Sequence, residues 1–238
     1  WLSPHAPYST PPALLRLSAA TARQRDWRMV THVAESATEF EMFMQGSGEM
    51  FSWLKRNERD MSDCGQCSPV RHLARNGALT DRLLAIHVNY LAENDAALLG
   101  EHGVSVAHCP RSHDYFRHQT FPFRELSAAG VNICLGTDSL ATVRQRRKQP
   151  LELNLFEEMH TFADAWPDVP PEIILRMATL NGARALGLAG RVGEISTGAA
   201  ADLIALPWSG GSGEACEGVI RHQGDVMASM IERKWAVK

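Results

Sequence analysis

The 238-residue chain predicts an α/β fold built on a parallel sheet, and three observations carry the prediction. Short β-rich runs alternate with longer helical stretches. The candidate strands end in polar, chemically able residues. After residue 189 the pattern turns short and β-like, which marks a small second domain. With 45% hydrophobic and 21% charged residues, the chain is globular and can bury a real core.

Strands are expected at Met29–His32, Leu83–Val88, Val104–His108 and Val131–Gly136, with the end of another at Trp1–Ser3. Between them the helical patterns are Pro11–Gln24, Glu39–Arg56, Pro69–Asn76, Asn94–His102 and Phe123–Ala129. Pro11 and Pro12 suit a first helical turn, where a missing N–H is no loss. Gly46 and Gly48 should break Glu39–Arg56 into two helices. Gly103 and Gly130 each fall where a helix ends and a strand begins. Two long helices are expected at Pro150–Trp166 and Pro170–Leu188. From Gly190 the runs R-V-G-E-I-S-T-G-A-A-A-D-L-I-A-L and V-M-A-S-M-I-E-R-K-W-A-V read as strands around a Gly/Ser-rich loop.

His32, His87, His108 and Asp138 close four of the strands, and His5 lies just beyond the fifth. Parallel sheets build their sites at the carboxyl ends of strands, most consistently in (β/α)8 barrels. Five strands do not close a barrel of eight. The expectation is therefore the C-terminal half of a TIM-type barrel, strands 4–8, over residues 1–189. Residues 190–238 read as strands of a small β-domain beside the barrel. The chain opens on Trp1 rather than Met, which sets the expectation that other residues precede it.

The net charge of -3 gives no reason to expect nucleic acid or a membrane surface as partner. No apolar run approaches the roughly 18 residues that cross a bilayer. Five cysteines (Cys64, Cys67, Cys109, Cys134 and Cys216), with no secretory segment in view, point to a reducing cytoplasm. Cys64-x-x-Cys67 could open a zinc or redox site, but no second pair follows at finger spacing, and two loop thiols are the simpler account. The basic run R-Q-R-R-K at 144–148 reads as a solvated loop, with a grip on an anionic substrate group as the alternative.

The strand-end residues carry the chemistry. His32 can offer one neutral ring nitrogen to a metal, and Glu35, three residues on, can reach the same space and move protons. His87 closes the apolar run L-L-A-I-H, where a hydrogen-bonded core histidine is the competing account. Asp138 ends a buried strand, and a carboxylate there needs a cation, a donor network or solvent. His5, in a proline-flanked loop, is either a turn histidine or a substrate contact. His108 could simply be a packed strand residue. Arg111, Ser112 and His113 lie near the substrate or form a structural loop. Each residue is ambiguous alone; together, in one register at successive strand ends, they describe a site.

The ordered motifs S-P-H-A-P-Y-S, T-H-V-A-E-S, A-I-H-V-N-Y-L, A-H-C-P-R-S, L-G-T-D-S-L-A and T-L-N-G-A-R-A-L-G-L resemble the amidohydrolase superfamily. The branch they resemble holds adenosylhomocysteine and methylthioadenosine deaminases, aminofutalosine deaminases and chlorotriazine hydrolases. The resemblance implies one divalent metal ion, zinc before iron or manganese, bound by His32 and Asp138. It implies Glu35 as proton shuttle, Asp138 as acceptor of a proton from the attacking water, and His87 as the residue orienting that water or the developing tetrahedral centre. His5, Arg111 and Ser139 would contact the substrate. The implied reaction is attack of metal-bound hydroxide on an electron-poor ring carbon of an aminated purine nucleoside derivative, with loss of ammonia. Hydrolysis of another C–N bond, or of a C–Cl bond in a triazine, is the alternative within the family. The family takes two more metal ligands from a His-x-His, and none occurs in this sequence. A preceding segment or a companion chain then completes the site, in a protein expected to be a homo-oligomer; otherwise the chain is a catalytically silent fragment.

Overall fold

Residues 29–33, M-V-T-H-V, bury every second side chain, as the pleat of a strand requires, and form β1 (Met29–Val33). The computed structural model describes residues 1–144 and 151–237. It divides into two compact units, Trp1–His108 with Arg117–Ile133, and Cys109–Phe116 with Cys134–Lys238.

In the first unit, α1 (Pro12–Arg25) precedes β1 and carries proline in its first turn. After β1 come α2 (Ala37–Gln45), α3 (Gly48–Arg56) and α4 (Pro69–Arg75). Then follow β2 (Leu83–His87), α5 (Asp95–Glu101) and β3 (Ser105–His108). β2 and β3 are almost wholly buried, as strands covered on both faces of a parallel sheet must be. β1 pairs with β2 in parallel, Val33 beside His87, and β2 with β3, Ile86 beside Ala107. The sheet order runs β1-β2-β3-β4, with β4 at Asn132–Leu135. The strand expected at Trp1–Ser3 shrinks to a single bridge, Leu2 to Met29, plus a bond from the His32 N–H to the His5 carbonyl at 2.9 Å.

The break between α2 and α3 falls at the glycines. Gly46 caps α2 in the left-handed conformation (φ 65°). Cys64–Cys67 folds back onto that helix end. The N–H of Gly65 reaches the Met42 carbonyl at 3.3 Å, and that of Gln66 reaches the Phe43 carbonyl at 3.0 Å. The two backbones approach so closely that a Cβ on Gly65 would lie 3.0 Å from the Gly46 nitrogen. Met42, Phe43 and Leu54 form a buried cluster above this contact.

In the second unit, α6 (Pro110–Phe116) occupies a stretch the sequence pattern left unassigned; α7 (Phe123–Ala128) belongs to the first. Two differences from expectation have local causes. The helix expected over Pro150–Trp166 starts at Leu155 as α8 (Leu155–Ala165), because Asn154 is extended (φ -136°) and its side chain caps the Phe156 N–H at 2.9 Å. Pro150 itself lies outside the described residues, as do residues 145–148 of the basic run. Pro170–Leu188 splits into α9 (Pro171–Ala178) and α10 (Leu180–Leu186). At the break, Thr179 leaves the helical region (φ -124°, ψ -90°) and its hydroxyl donates back to the Leu175 carbonyl at 2.7 Å.

The tail carries an antiparallel sheet of β5 (Leu203–Ala205), β6 (Ala228–Ile231) and β7 (Lys234–Val237). R-V-G-E-I-S forms turns rather than a strand. The stretch expected as a Gly/Ser-rich loop contains α11 (Ala215–Ile220), anchored by buried Ile220 and flanked by an Arg221–Asp164 ion pair. Among the described residues no helix is long and apolar enough to cross a membrane.

The contact at Gly65 gives a test of packing. Gly65→Ala meets both a left-handed backbone (φ 71°) and the Gly46 main chain. It should destabilise the fold by about 2 kcal/mol, read as a lower denaturation midpoint. Gly130→Ala, left-handed but with open space around it, should cost less.

Candidate active site

β1 places His32 on its less buried face, and the sheet sets its partners. Its Nδ1 lies 2.8 Å from the carbonyl oxygen of His5. A carbonyl only accepts, so Nδ1 carries a proton, and in the neutral ring Nε2 is the nitrogen with the lone pair. The His5 ring sits 5.1 Å from that of His32, and its Nδ1 lies 2.6 Å from the Ser9 hydroxyl. Burial first, and the neighbouring His32 second, lower the pKa of His5.

On the other side of His32, the His87 ring stacks at 5.5 Å with planes 25° apart. Strand register would put His87 on the side of Val33, opposite His32. The left-handed backbone at His87 (φ 73°) breaks that alternation and turns the ring across. Glu35 reaches the same cluster, with Oε1 3.7 Å from Nε2 of His87. His5, His32, Glu35 and His87 therefore come together in the first unit. Left-handed non-glycine residues are costly and cluster where a site demands them. Ala34 (φ 50°), His87 and Val88 (φ 53°) all adopt that conformation at the ends of β1 and β2.

In the second unit, Asp138 is also left-handed (φ 52°). The Ser112 hydroxyl donates to its Oδ2 at 2.5 Å, with Thr142 Oγ1 at 3.5 Å. The Arg111 N–H donates to Glu158 Oε2 at 2.9 Å, and its guanidinium Nε lies 3.9 Å from Glu158 Oε1. Glu158 is fully buried, and burial pushes its carboxyl up to about 7. Ser139 is exposed, and its hydroxyl oxygen accepts the Ala141 N–H at 3.1 Å.

Two further histidine and cysteine questions resolve on packing. The His108 ring is buried and stacks on Phe121 at 3.8 Å. Burial raises both thiols of the C-x-x-C pair, Cys64 to about 12, so neither has thiolate character.

Sequence patterning passed over two residues that shape this cluster, Glu39 and Asn89. Glu39 Oε2 accepts the Glu35 N–H at 2.9 Å, and Asn89 Nδ2 donates to the Glu35 carbonyl at 3.0 Å. The Ser36-x-x-Glu39 spacing of a capping box was a signal for the first. Nothing local marks Asn89.

The donor chemistry of His32 fits a divalent metal, since a neutral imidazole with its second nitrogen tied to a carbonyl is the usual ligand form. Among the described residues no group of three or more His, Cys, Asp or Glu side chains could hold a metal by itself.

Histidines and a glutamate gather at the carboxyl ends of parallel strands on a barrel-like α/β fold, the end at which such folds build their sites. The chain belongs to the amidohydrolase family, whose model matches residues 1–221. It is 37% identical to a 5-methylthioadenosine/S-adenosylhomocysteine deaminase of Syntrophobacter fumaroxidans over 212 residues, 86% of this chain and 43% of that protein. It is 36% identical to a 5'-deoxyadenosine deaminase of Methanoregula boonei, over 84% of this chain and 41% of that protein. Among solved structures, an adenosine deaminase from Xanthomonas campestris with bound zinc superposes with a TM-score of 0.79 at 30% identity. That match covers 99% of this chain and 51% of the other. The chain thus spans about half the length of the relatives it matches.

The Ser112 contact is testable on its own. Ser112→Ala removes the short donor to Asp138 and should destabilise the protein by about 2 kcal/mol, measured by denaturant unfolding. Ser139→Ala, whose side chain is exposed, should change stability by less than about 0.5 kcal/mol.

Proposed function

We propose that this chain is the C-terminal portion of a metal-dependent hydrolase that deaminates an adenosine-type nucleoside derivative. Residues 1–189 would supply strands 4–8 of a (β/α)8 barrel, and residues 190–238 the C-terminal part of a β-sandwich domain. The observation that carries the reading is the cluster of His5, His32, Glu35 and His87, with Nε2 of His32 left as a free lone pair by the bond from Nδ1 to His5. The deaminase names of the relatives support the substrate class.

In this reading His32 and Asp138 hold one divalent metal, zinc in preference to iron or manganese. Two protein ligands fall short of the usual three or four, so a preceding segment or a companion chain contributes the rest. When bound, the metal lowers the pKa of a water molecule enough to supply hydroxide near neutral pH. Glu35 carries a proton to the substrate's ring nitrogen and then to the departing amine, which leaves as ammonia. His87, stacked against His32 and within 3.7 Å of Glu35, orients the attacking water. Asp138, steadied by Ser112, accepts the proton that the water loses. His5, Arg111 and Ser139 contact the substrate.

Metal analysis of the protein as its gene encodes it, purified without chelator, should find zinc, iron or manganese near one per chain. Its absence would sink the enzyme reading. Ammonia release should follow with adenosine-type nucleosides; a panel of adenosine, aminofutalosine, guanine and triazine compounds without turnover rejects the deaminase assignment. Glu35→Gln should keep the metal while kcat falls by about 10²–10⁴-fold. His32→Ala should lose the metal as well, and equal metal loss in both variants would show Glu35 to be a ligand.

A further inference from the structure

Every polar backbone group of Ala34 and Glu35 is occupied, and two buried side chains do much of the holding. The Ala34 and Glu35 N–H groups donate to Glu39, at 3.1 Å to Oε1 and 2.9 Å to Oε2. The Ala34 carbonyl accepts the N–H of Asn89 at 2.9 Å and that of Tyr90 at 3.2 Å. The Glu35 carbonyl accepts Asn89 Nδ2 at 3.0 Å. Glu39 is 0% exposed and Asn89 1%.

Helix capping accounts for only part of what Glu39 does. In a capping box, the glutamate reaches back to the N–H of the cap residue. Here the cap residue is Ser36, whose hydroxyl accepts the Glu39 N–H at 3.2 Å. The Glu39 carboxyl interacts with the Ser36 N–H and, beyond it, accepts the N–H groups of the two residues before. Burying that carboxyl is costly unless the bonds it makes matter, and it pushes the group up to about 7. What those bonds secure is a left-handed Ala34 followed directly by Glu35. Asn89 closes the same turn from the β2 side, two residues after His87.

We propose that Glu39 and Asn89 are positioning residues for proton transfer, fixing the main chain of Ala34–Glu35 so that the Glu35 carboxylate faces His87. The inference rests on the proton-carrier role of Glu35 given above. Neither residue touches the reacting atoms; both act through the backbone that carries Glu35. A displacement of about 1 Å in such a group can cost as much as 100-fold in rate.

The test is a double-mutant cycle in the metal-loaded protein as its gene encodes it, with metal content, KM and kcat measured for each variant. Glu39→Gln keeps volume and one acceptor; Asn89→Leu keeps shape and removes the donor. Each alone should lower kcat about tenfold, with metal content unchanged and KM shifted less than about threefold. In the Glu35→Gln background, followed in overnight assays, the same substitutions should change the residual kcat by less than about twofold, because the group they position is already gone. A tenfold loss that persists in that background overturns the positioning role. So does an unchanged kcat per bound metal in both single variants, even if they unfold more easily. Wild-type turnover in Glu35→Gln alone is a different result: it rejects the proton-carrier role itself, and this inference with it.

Discussion

The parallel register of β1 on β2 governs where every group in the first unit's cluster can stand. With His32 beside Ile86 and Val33 beside His87, the two histidines begin on opposite faces of the sheet. A one-residue slip would move His32 to the other face and take its Nδ1 away from the His5 carbonyl. The register therefore fixes the tautomer of His32 as well as its position. The remaining imidazole is brought across by backbone conformation alone, at a residue held left-handed by the bonds around it. The Val88 N–H, for example, donates to the Val33 carbonyl at 3.1 Å. Register and strain together do what neither could do alone.

Much of this was legible in the amino-acid order. β1 to β4 and the first five helices fall within a residue or two of the expected bounds, because apolar runs, Pro at helix starts and Gly at helix ends report local physics. The failures lie where something other than hydrophobic periodicity decided the structure. Thr179 splits a helix that periodicity reads as continuous, and a side chain bonding its own backbone leaves no mark in a hydrophobic pattern. α11 sits where glycine and serine argue for a loop, and its order comes from Ile220 packed into the second unit rather than from propensity. A local side-chain bond decided the first and tertiary packing the second.

The site divides in the same way. His5, His32, Glu35, His87 and Asp138 stand out because polar residues at the ends of apolar strands call for an explanation. Glu39 and Asn89 do not stand out, since a glutamate in a first helical turn and an asparagine in a loop are what solvent-facing segments contain. Only their burial and the atoms they reach distinguish them. Ser112 is a similar case: the motif drew attention to it, but the hydroxyl's hold on Asp138 is a fact of three dimensions. Polar residues at strand ends are easier to read from sequence than the residues that hold them still.

Ala34 shows what such holding means for the alphabet available to the chain. Its side chain has no exposed surface, which excludes bulk and charge, and its backbone lies at φ 50°, which penalises every residue with a Cβ and β-branched ones most of all. Alanine and glycine are the letters that physics leaves comfortable there. Glycine would lower the strain but widen the conformations open to the unfolded chain and to the turn itself. Alanine accepts the strain and keeps the choice narrow. The residue next to the Glu35 carboxylate is thus among the smallest in the protein and among the least free to vary.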